Sequence, residues 1–176
     1  MDVMLDIETL GTRPEAVVVT LGAVKFNPYT MDEPGPGIYM RLDADEQIAL
    51  GREVREDTML WWMSQAEDVR EEALGEGPDR IKLEDMYKQL NKFLVGVDNI
   101  WCQGPAFDIV ILENLYRQLQ KPAPWPYYSI RDSRTLLKAL GDTRQPGAML
   151  HNALADCVSQ AQAIQLAVKK YNLTEL

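Results

Sequence analysis

Val3-Met4-Leu5-Asp6-Ile7-Glu8-Thr9 alternates between two sets of residues with a period of two. Residues 2–8 therefore read as a β-strand, with Val3, Leu5 and Ile7 on one face and Met4, Asp6 and Glu8 on the other. Asp6 and Glu8 leave the same face with Cα atoms roughly 7 Å apart. Side by side the two carboxylates repel, and a shared cation relieves that repulsion. An Asp-x-Glu pair alone is a weak signal, because a polar, solvated sheet face gives the same pattern. Its meaning depends on what the rest of the chain brings to it.

Outward from this strand, residues 16–27 are rich in Val, Thr and Phe and predict a second strand after the turn Gly11-Thr12-Arg13-Pro14. Asn27-Pro28 breaks it, Pro34-Gly35-Pro36-Gly37 forms a loop, and Ile38 to Leu42 makes a third strand. Three short strands with tight connections predict an antiparallel meander. From Asp57 the period becomes helical: Met59, Trp62, Met63, Ala66, Val69 and Ala73 mark one helix to Leu74, ended by Gly75 and Gly77. Further helices are expected over 83–95, 108–120, 133–140 and 153–171, the last two capped by Asp132 and Asn152. Residues 99–103 and 127–131 read as strands. The expected architecture is one α/β domain over 1–176, with a central mixed five-stranded sheet (the antiparallel meander plus parallel strands) flanked by helices.

A chain of 176 residues is long enough to bury a full core, and 46% hydrophobic residues with moderate charge exclude a disordered or collagen-like chain. No stretch reaches the roughly 20 apolar residues of a membrane helix. No basic, cleavable leader is visible at the start, and Cys102 and Cys157 form neither a disulfide framework nor a zinc motif. Reduced thiols in a cytoplasmic protein are the expectation. Lys+Arg 18 against Asp+Glu 27 gives a net charge of −9, which argues against nonspecific coating of nucleic acid. It leaves room for an enzyme that holds a few nucleotides of one strand end, with metal ions supplying positive charge locally.

Two more acidic positions and a histidine join the first pair. Asp108 follows an apolar segment and the Gly104-Pro105 turn, at the start of a helix, where a capping role would also explain it. His151 and Asp156 are five apart, so on one continuous helix they would point roughly 140° away from each other. With the helix starting near Asn152, His151 lies in the preceding loop and can bend over the carboxylates. Hard oxygen donors of this kind select Mg²⁺ or Mn²⁺ over zinc. His151 is the only histidine, so any imidazole proton transfer near neutral pH must use it.

The residues Asp6-Ile7-Glu8-Thr9, Phe107-Asp108 and His151-x-x-x-x-Asp156 resemble the three exonuclease motifs of the DEDD superfamily, in its histidine-bearing DEDDh branch. That branch includes ribonuclease T, oligoribonuclease and the proofreading subunit of bacterial DNA polymerase III. The resemblance implies a ribonuclease H-like fold and two-metal hydrolysis that releases nucleoside 5′-monophosphates from a 3′ end. It implies Asp6, Glu8, Asp108 and Asp156 as ligands of two divalent cations, and His151 as general base. Trp61-Trp62-x-x-Gln65 with Arg70, and Arg131-Asp132-x-x-Thr135-Leu136, resemble a compact phage and bacterial subgroup of 3′-5′ exonucleases. One departure is Gln103-Gly104-Pro105-Ala106 before Phe107, where many relatives carry a His-Asn pair. The implied substrate is the 3′ end of single-stranded DNA or RNA, or a short overhang. The choice between monomer and homodimer stays open.

Substrate contacts are expected from the turn Thr9-Leu10-Gly11, whose backbone N–H groups would meet the terminal nucleotide, and from Phe107 and Trp61 as stacking surfaces. The helical stripe turns Trp62 inward and leaves Trp61 more exposed. Arg131 and Arg134 are candidates for phosphate contact, and Asp132 reads as a helix cap. Two rival readings are a binding module that keeps the fold without catalysis, and an aspartate-based phosphatase. The first would show a lost ligand, and the second wants Asp where the chain has Glu8.

Overall fold

The computed structural model describes residues 1–141 and 151–176. The elements run β1 (Asp2–Thr9), β2 (Val18–Phe26), β3 (Gly37–Leu42), α1 (Ala44–Ala49), α2 (Glu56–Met63), α3 (Glu67–Leu74), β4 (Arg80–Ile81), α4 (Leu83–Phe93), β5 (Ile100–Cys102), α5 (Asp108–Gln118), β6 (Ile130–Asp132), α6 (Ser133–Leu140) and α7 (Ala153–Tyr171). They build one mixed sheet of six strands in the order β4-β3-β2-β1-β5-β6. The meander is there: β2 pairs antiparallel with both β1 and β3. Strands β4, β5 and β6 each add parallel to their neighbours.

The alternation of β1 sorts its residues onto two differently covered faces. Val3, Leu5 and Ile7 pack with Leu83, Met86 and Leu90 of α4 and Ile111, Leu112 and Leu115 of α5. Met4 packs on the other face with Val24, Phe26 and Trp101, under Leu137 of α6 and Cys157, Ala161, Ile164 and Val168 of α7. Asp6 and Glu8 share the face of Met4, so the period of two aims them at the first turns of α7. At the start of β1, Asp2 accepts hydrogen bonds from Trp101 Nε1 (2.7 Å) and Asn99 Nδ2 (3.1 Å), which ties the strand to its parallel neighbour.

The expected five-stranded sheet is corrected to six. The added strand, β4, is only Arg80–Ile81, and two residues cannot show a period. The single helix expected over 57–74 is two. Ser64 Oγ and Gln65 Nε2 donate to the Trp61 carbonyl, at 2.6 and 3.1 Å, and Ala66 turns extended at ψ 150°. The break lets Trp62 from α2 and Ala73 from α3 both reach Leu10, Val17 and Val19. Helix α1 was not expected, although Asp43 and Glu46 have capping-box spacing. The Asp43 side chain accepts from Glu46 N, and buried Gln47 exchanges two hydrogen bonds with the backbone of Val18, at 2.9 and 2.7 Å. Residues 127–131 are half a strand: a 3-10 turn over Tyr127–Ser129 precedes β6, closed by Ser129 N and Oγ donating to Pro126 O.

Candidate active site

Three of the four acidic side chains converge. Asp6, Glu8 and Asp156 each place a carboxylate oxygen so that the set lies within 4.8 Å of one another. Two come from alternate positions of β1, and the third from the first turn of α7. Asn152 caps α7 by accepting from Ala155 N at 3.0 Å. The approach of α7 to the sheet depends on Gly22, the β2 partner of Asp6. A Cβ there would stand 2.3 Å from the Ala153 carbonyl carbon and 2.4 Å from Leu154 N. Only a residue without a side chain admits helix backbone this close to strand backbone.

Asp108 is the first residue of α5, whose N-cap is Phe107, and it lines the same cavity as the triad without joining the close set. The cavity measures about 320 Å³ and is bounded by Asp6, Glu8, Asp108, Asp156, His151, Gln160, Phe107, Gln103, Gly104 and Arg134, with Ile7. Gln160 is one helical turn beyond Asp156 and donates to Asp6 Oδ1 at 3.4 Å. Sequence reading passed over it, though its i,i+4 spacing from Asp156 was the available signal.

His151 precedes the Asn152 cap with φ 62°, a left-handed conformation. Its Nδ1 is 4.0 Å from Glu8 Oε1. The imidazole stands edge-on to Trp61, with ring centroids 4.9 Å apart. Trp62 is fully buried and donates Nε1 to the Thr9 carbonyl at 2.9 Å, while Trp61 is 40% exposed, as the helical stripe predicts.

Like charges taken out of water raise one another's proton affinity. Burial, then Asp108, Glu8 and Asp156 in that order, hold Asp6 well above the usual carboxylate range, with the Gln160 hydrogen bond opposing. Glu8 is pushed up to about 8 by burial and by Asp156 and Asp108. Asp108 rises to about 7 through burial, against backbone N–H groups and the charge of Arg134. Burial also raises Asp156, with His151 pulling it down. Clustered carboxylates of this kind are unfavourable as neighbouring anions, and oxygen donors so placed fit a divalent cation.

A second cavity of about 380 Å³ adjoins the first, sharing Glu8 and Phe107, and is further lined by Thr9, Gly11, Thr12, Asp57, Thr58 and Trp61. Thr9, Gly11, Phe107 and Trp61 thus stand beside the acids. Thr9 Oγ1 is engaged with Gly11 O at 2.6 Å. Leu10 lies elsewhere: its side chain is in the core under α2, and its N–H donates to Val17 O at 2.8 Å. Sequence reading missed Thr12, Asp57 and Thr58, which carry no motif. Arg131 faces away, donating to Tyr128 O and Ile130 O, whereas Arg134 reaches the acidic cavity. Asp132 caps α6, accepting from Arg134 N and Thr135 N. Cys102 and Cys157 are buried and unpaired. No helix among the described residues is long and apolar enough to cross a membrane.

In sequence and in fold the chain is similar to known nucleases. The chain is 25% identical over 205 aligned positions to an exodeoxyribonuclease of Enterobacteria phage T4, covering 96% of this chain and 89% of the relative. Its fold is similar to that of exonuclease X, solved with 5′ overhanging duplex DNA, at a TM-score of 0.54 and 18% identity over 99% of this chain and 95% of the other. It is also similar to the nuclease domain of 3′hExo, a DEDDh family member solved with rAMP, at a TM-score of 0.61 and 12% identity over 96% and 91% of the two chains. The ribonuclease H-like architecture expected from the motifs is the one these nucleases share. The family model described as the 3′-5′ exoribonuclease Rv2179c-like domain matches residues 1–168, and the chain belongs to that family of 3′-5′ exonucleases.

Proposed function

We propose that residues 1–176 act as one exonuclease domain that removes nucleoside 5′-monophosphates from the 3′ end of single-stranded nucleic acid. One observation carries this reading: the Asp6, Glu8 and Asp156 oxygens within 4.8 Å of one another, with the chain's single histidine facing Glu8. Asp6, Glu8 and Asp156 would hold one Mg²⁺ or Mn²⁺, and Asp108 with Asp6 would hold a second. Such ions supply the positive charge that eases deprotonation of water and offsets charge on the leaving oxygen. His151 takes the proton from the attacking water, from a loop position outside α7. Gln160 orients the Asp6 carboxylate by donating to it.

The terminal nucleotide enters the adjoining cavity, where Trp61 and Phe107 offer aromatic surface and Thr9 and Gly11 line the wall. Stacking of this kind accepts any base. The acidic surface expected from a net charge of −9 suits a short grip on one strand end rather than a track along duplex. The two buried, unpaired cysteines suit a reducing, cytoplasmic setting. The family's description points to RNA and the phage relative's name to DNA, so both belong in the test.

The experiment is a degradation series on 5′-labelled and 3′-labelled single-stranded RNA and DNA, with Mg²⁺, Mn²⁺ or EDTA. The expected result is a ladder shortening from the 3′ end, immediate release of the 3′ label as a 5′-monophosphate, and no turnover in EDTA. Cleavage from the 5′ end, or turnover that survives EDTA, overturns the reading.

A further inference from the structure

Among the described residues, Arg134 is the only lysine or arginine that lines the acidic cavity. Several features hold it there. Its Nε donates to the Gln103 carbonyl at 2.7 Å, which leaves the guanidinium's two terminal nitrogens for other partners. The first turn of α6 beneath it is fixed by the Asp132 cap and by Ser133 Oγ donating to Cys102 O at 3.1 Å. Gly104 leaves open the space beside Nη2, the nearest atom to a Cβ built there, at 4.0 Å. A cation anchored this way loses little freedom on meeting a ligand, and its planar fork matches a phosphate.

Its place relative to the two cavities says which phosphate. The apolar cavity shares Glu8 and Phe107 with the acidic one, and Arg134 lines only the latter, in the wall built by Gln103 and Gly104. With the terminal nucleotide against Trp61 and Phe107 and its phosphate at the carboxylates, the strand leaves along that wall. We propose that Arg134 binds the phosphate immediately 5′ of the one being cleaved. It thereby sets the register of the strand in a cleft whose other charged walls are acidic. The proposal rests on the exonuclease reading of the site. It adds a charge-based contact that is blind to base sequence and that a strand one nucleotide too short cannot make.

The test is a cycle of substrate and protein changes. One oligonucleotide carries phosphodiesters throughout. A second, otherwise identical, carries a neutral methylphosphonate at the linkage 5′ of the terminal one. Wild type should lose about tenfold or more in kcat/KM on the neutral linkage, the size expected for a charge-assisted contact. Arg134→Gln and Arg134→Ala should lose a similar factor on the normal substrate, then less than about twofold more on the neutral one. Arg134→Lys should fall between, keeping charge but losing the fork. Melting temperatures with and without Mn²⁺ identify any variant that fails to fold, and the remaining ones complete the cycle. Equal losses from the neutral linkage in wild type and variants would overturn the proposal and leave Arg134 as a brace for Gln103. Indifference of wild type to the neutral linkage overturns it too. Failure of wild type on the all-phosphodiester strand is a separate result and would remove the exonuclease reading itself.

Discussion

His151 concentrates the chemistry in one replaceable side chain. It is the only imidazole in the chain, and it sits between the edge of Trp61 and the carboxylate of Glu8 without being part of the acidic triad. Replacing it by alanine removes edge-on ring contacts with Trp61 and the buried Trp62, at 4.9 and 6.3 Å between centroids, but no carboxylate and no buried aliphatic side chain. His151→Ala should therefore fold normally and keep its Mn²⁺-induced rise in melting temperature, while kcat falls by about 10²–10⁴, the usual worth of a positioned base. Unchanged turnover would remove His151 from the proton transfer; a lost Mn²⁺ response would make it a ligand instead. Glu8→Gln makes the opposite split. Glu8 is a carboxyl group held protonated up to about 8, and ionised above it, by burial and by its neighbours Asp156 and Asp108. The neutral amide should raise the melting temperature of metal-free protein at pH 9, by about 2–4 °C per kcal/mol of repulsion relieved. It should also abolish turnover. A metal-free variant no more stable than wild type at that pH would show that Glu8 carries no strain.

Between elements, the site is held by the contact of β2 with α7. Gly22 lets the backbone of Ala153 and Leu154 lie against the sheet, and Cys157 Sγ donates to the Gly22 carbonyl at 3.3 Å. A methyl group at position 22 has nowhere to go, since its nearest neighbours are backbone atoms at 2.3 to 2.5 Å. Gly22→Ala should push the start of α7 outward, carrying Asp156 and His151 with it. The expected cost is about 1–3 kcal/mol from overpacking, read by urea titration, with a larger relative loss in kcat than in stability. Full activity in a stable Gly22→Ala protein would show that α7 can shift without disturbing the triad. Nothing in the strand pattern of Val18–Phe26 marks that glycine as a docking point, because its partner is 131 positions away in the chain, at Ala153. The sequence was legible wherever a local period or cap was enough. β1, the α6 and α7 caps and the inward turn of Trp62 all follow from residues close in sequence. Illegible were β4, too short for a period, and the α2–α3 break, made by two polar side chains; Gln160 carried one local signal, its i,i+4 spacing from Asp156, but its partner Asp6 lies on β1.

Taken as a whole, the molecule has two populations of acids that pull its stability in opposite directions with pH. Asp43, Asp57 and Asp79 are held below the usual range by hydrogen bonds from Lys82, Arg55 and Arg41, so their contribution is present above their unfolded values and lost as pH falls through the folded ones. Glu8 and Asp108 have the reverse sign. Their folded values, about 8 and about 7, lie above the model-peptide values of 4.5 and 3.8. Their contribution is complete below pH 4, where both states are protonated. Through the window from there to pH 8 the unfolded chain gives up protons that the folded one retains, so stability falls, and it levels once both groups have ionised. Metal-free protein should be most stable near pH 4, where the lowered acids have ionised in the folded state and the raised ones have not. It should lose stability steadily from there to pH 8.5, read as a falling melting temperature. Divalent cations should reverse this. They bind the ionised carboxylates, compete with protons, and stabilise the folded state by mass action. The gap between melting curves in EDTA and in millimolar Mn²⁺ should therefore be small at pH 5 and widen steadily to pH 8.5. A gap that stays constant across that range, or a metal-free protein that grows more stable between pH 5 and 8, would mean that the acids of the cleft do not share a common charge problem. The cation would then have to be held elsewhere.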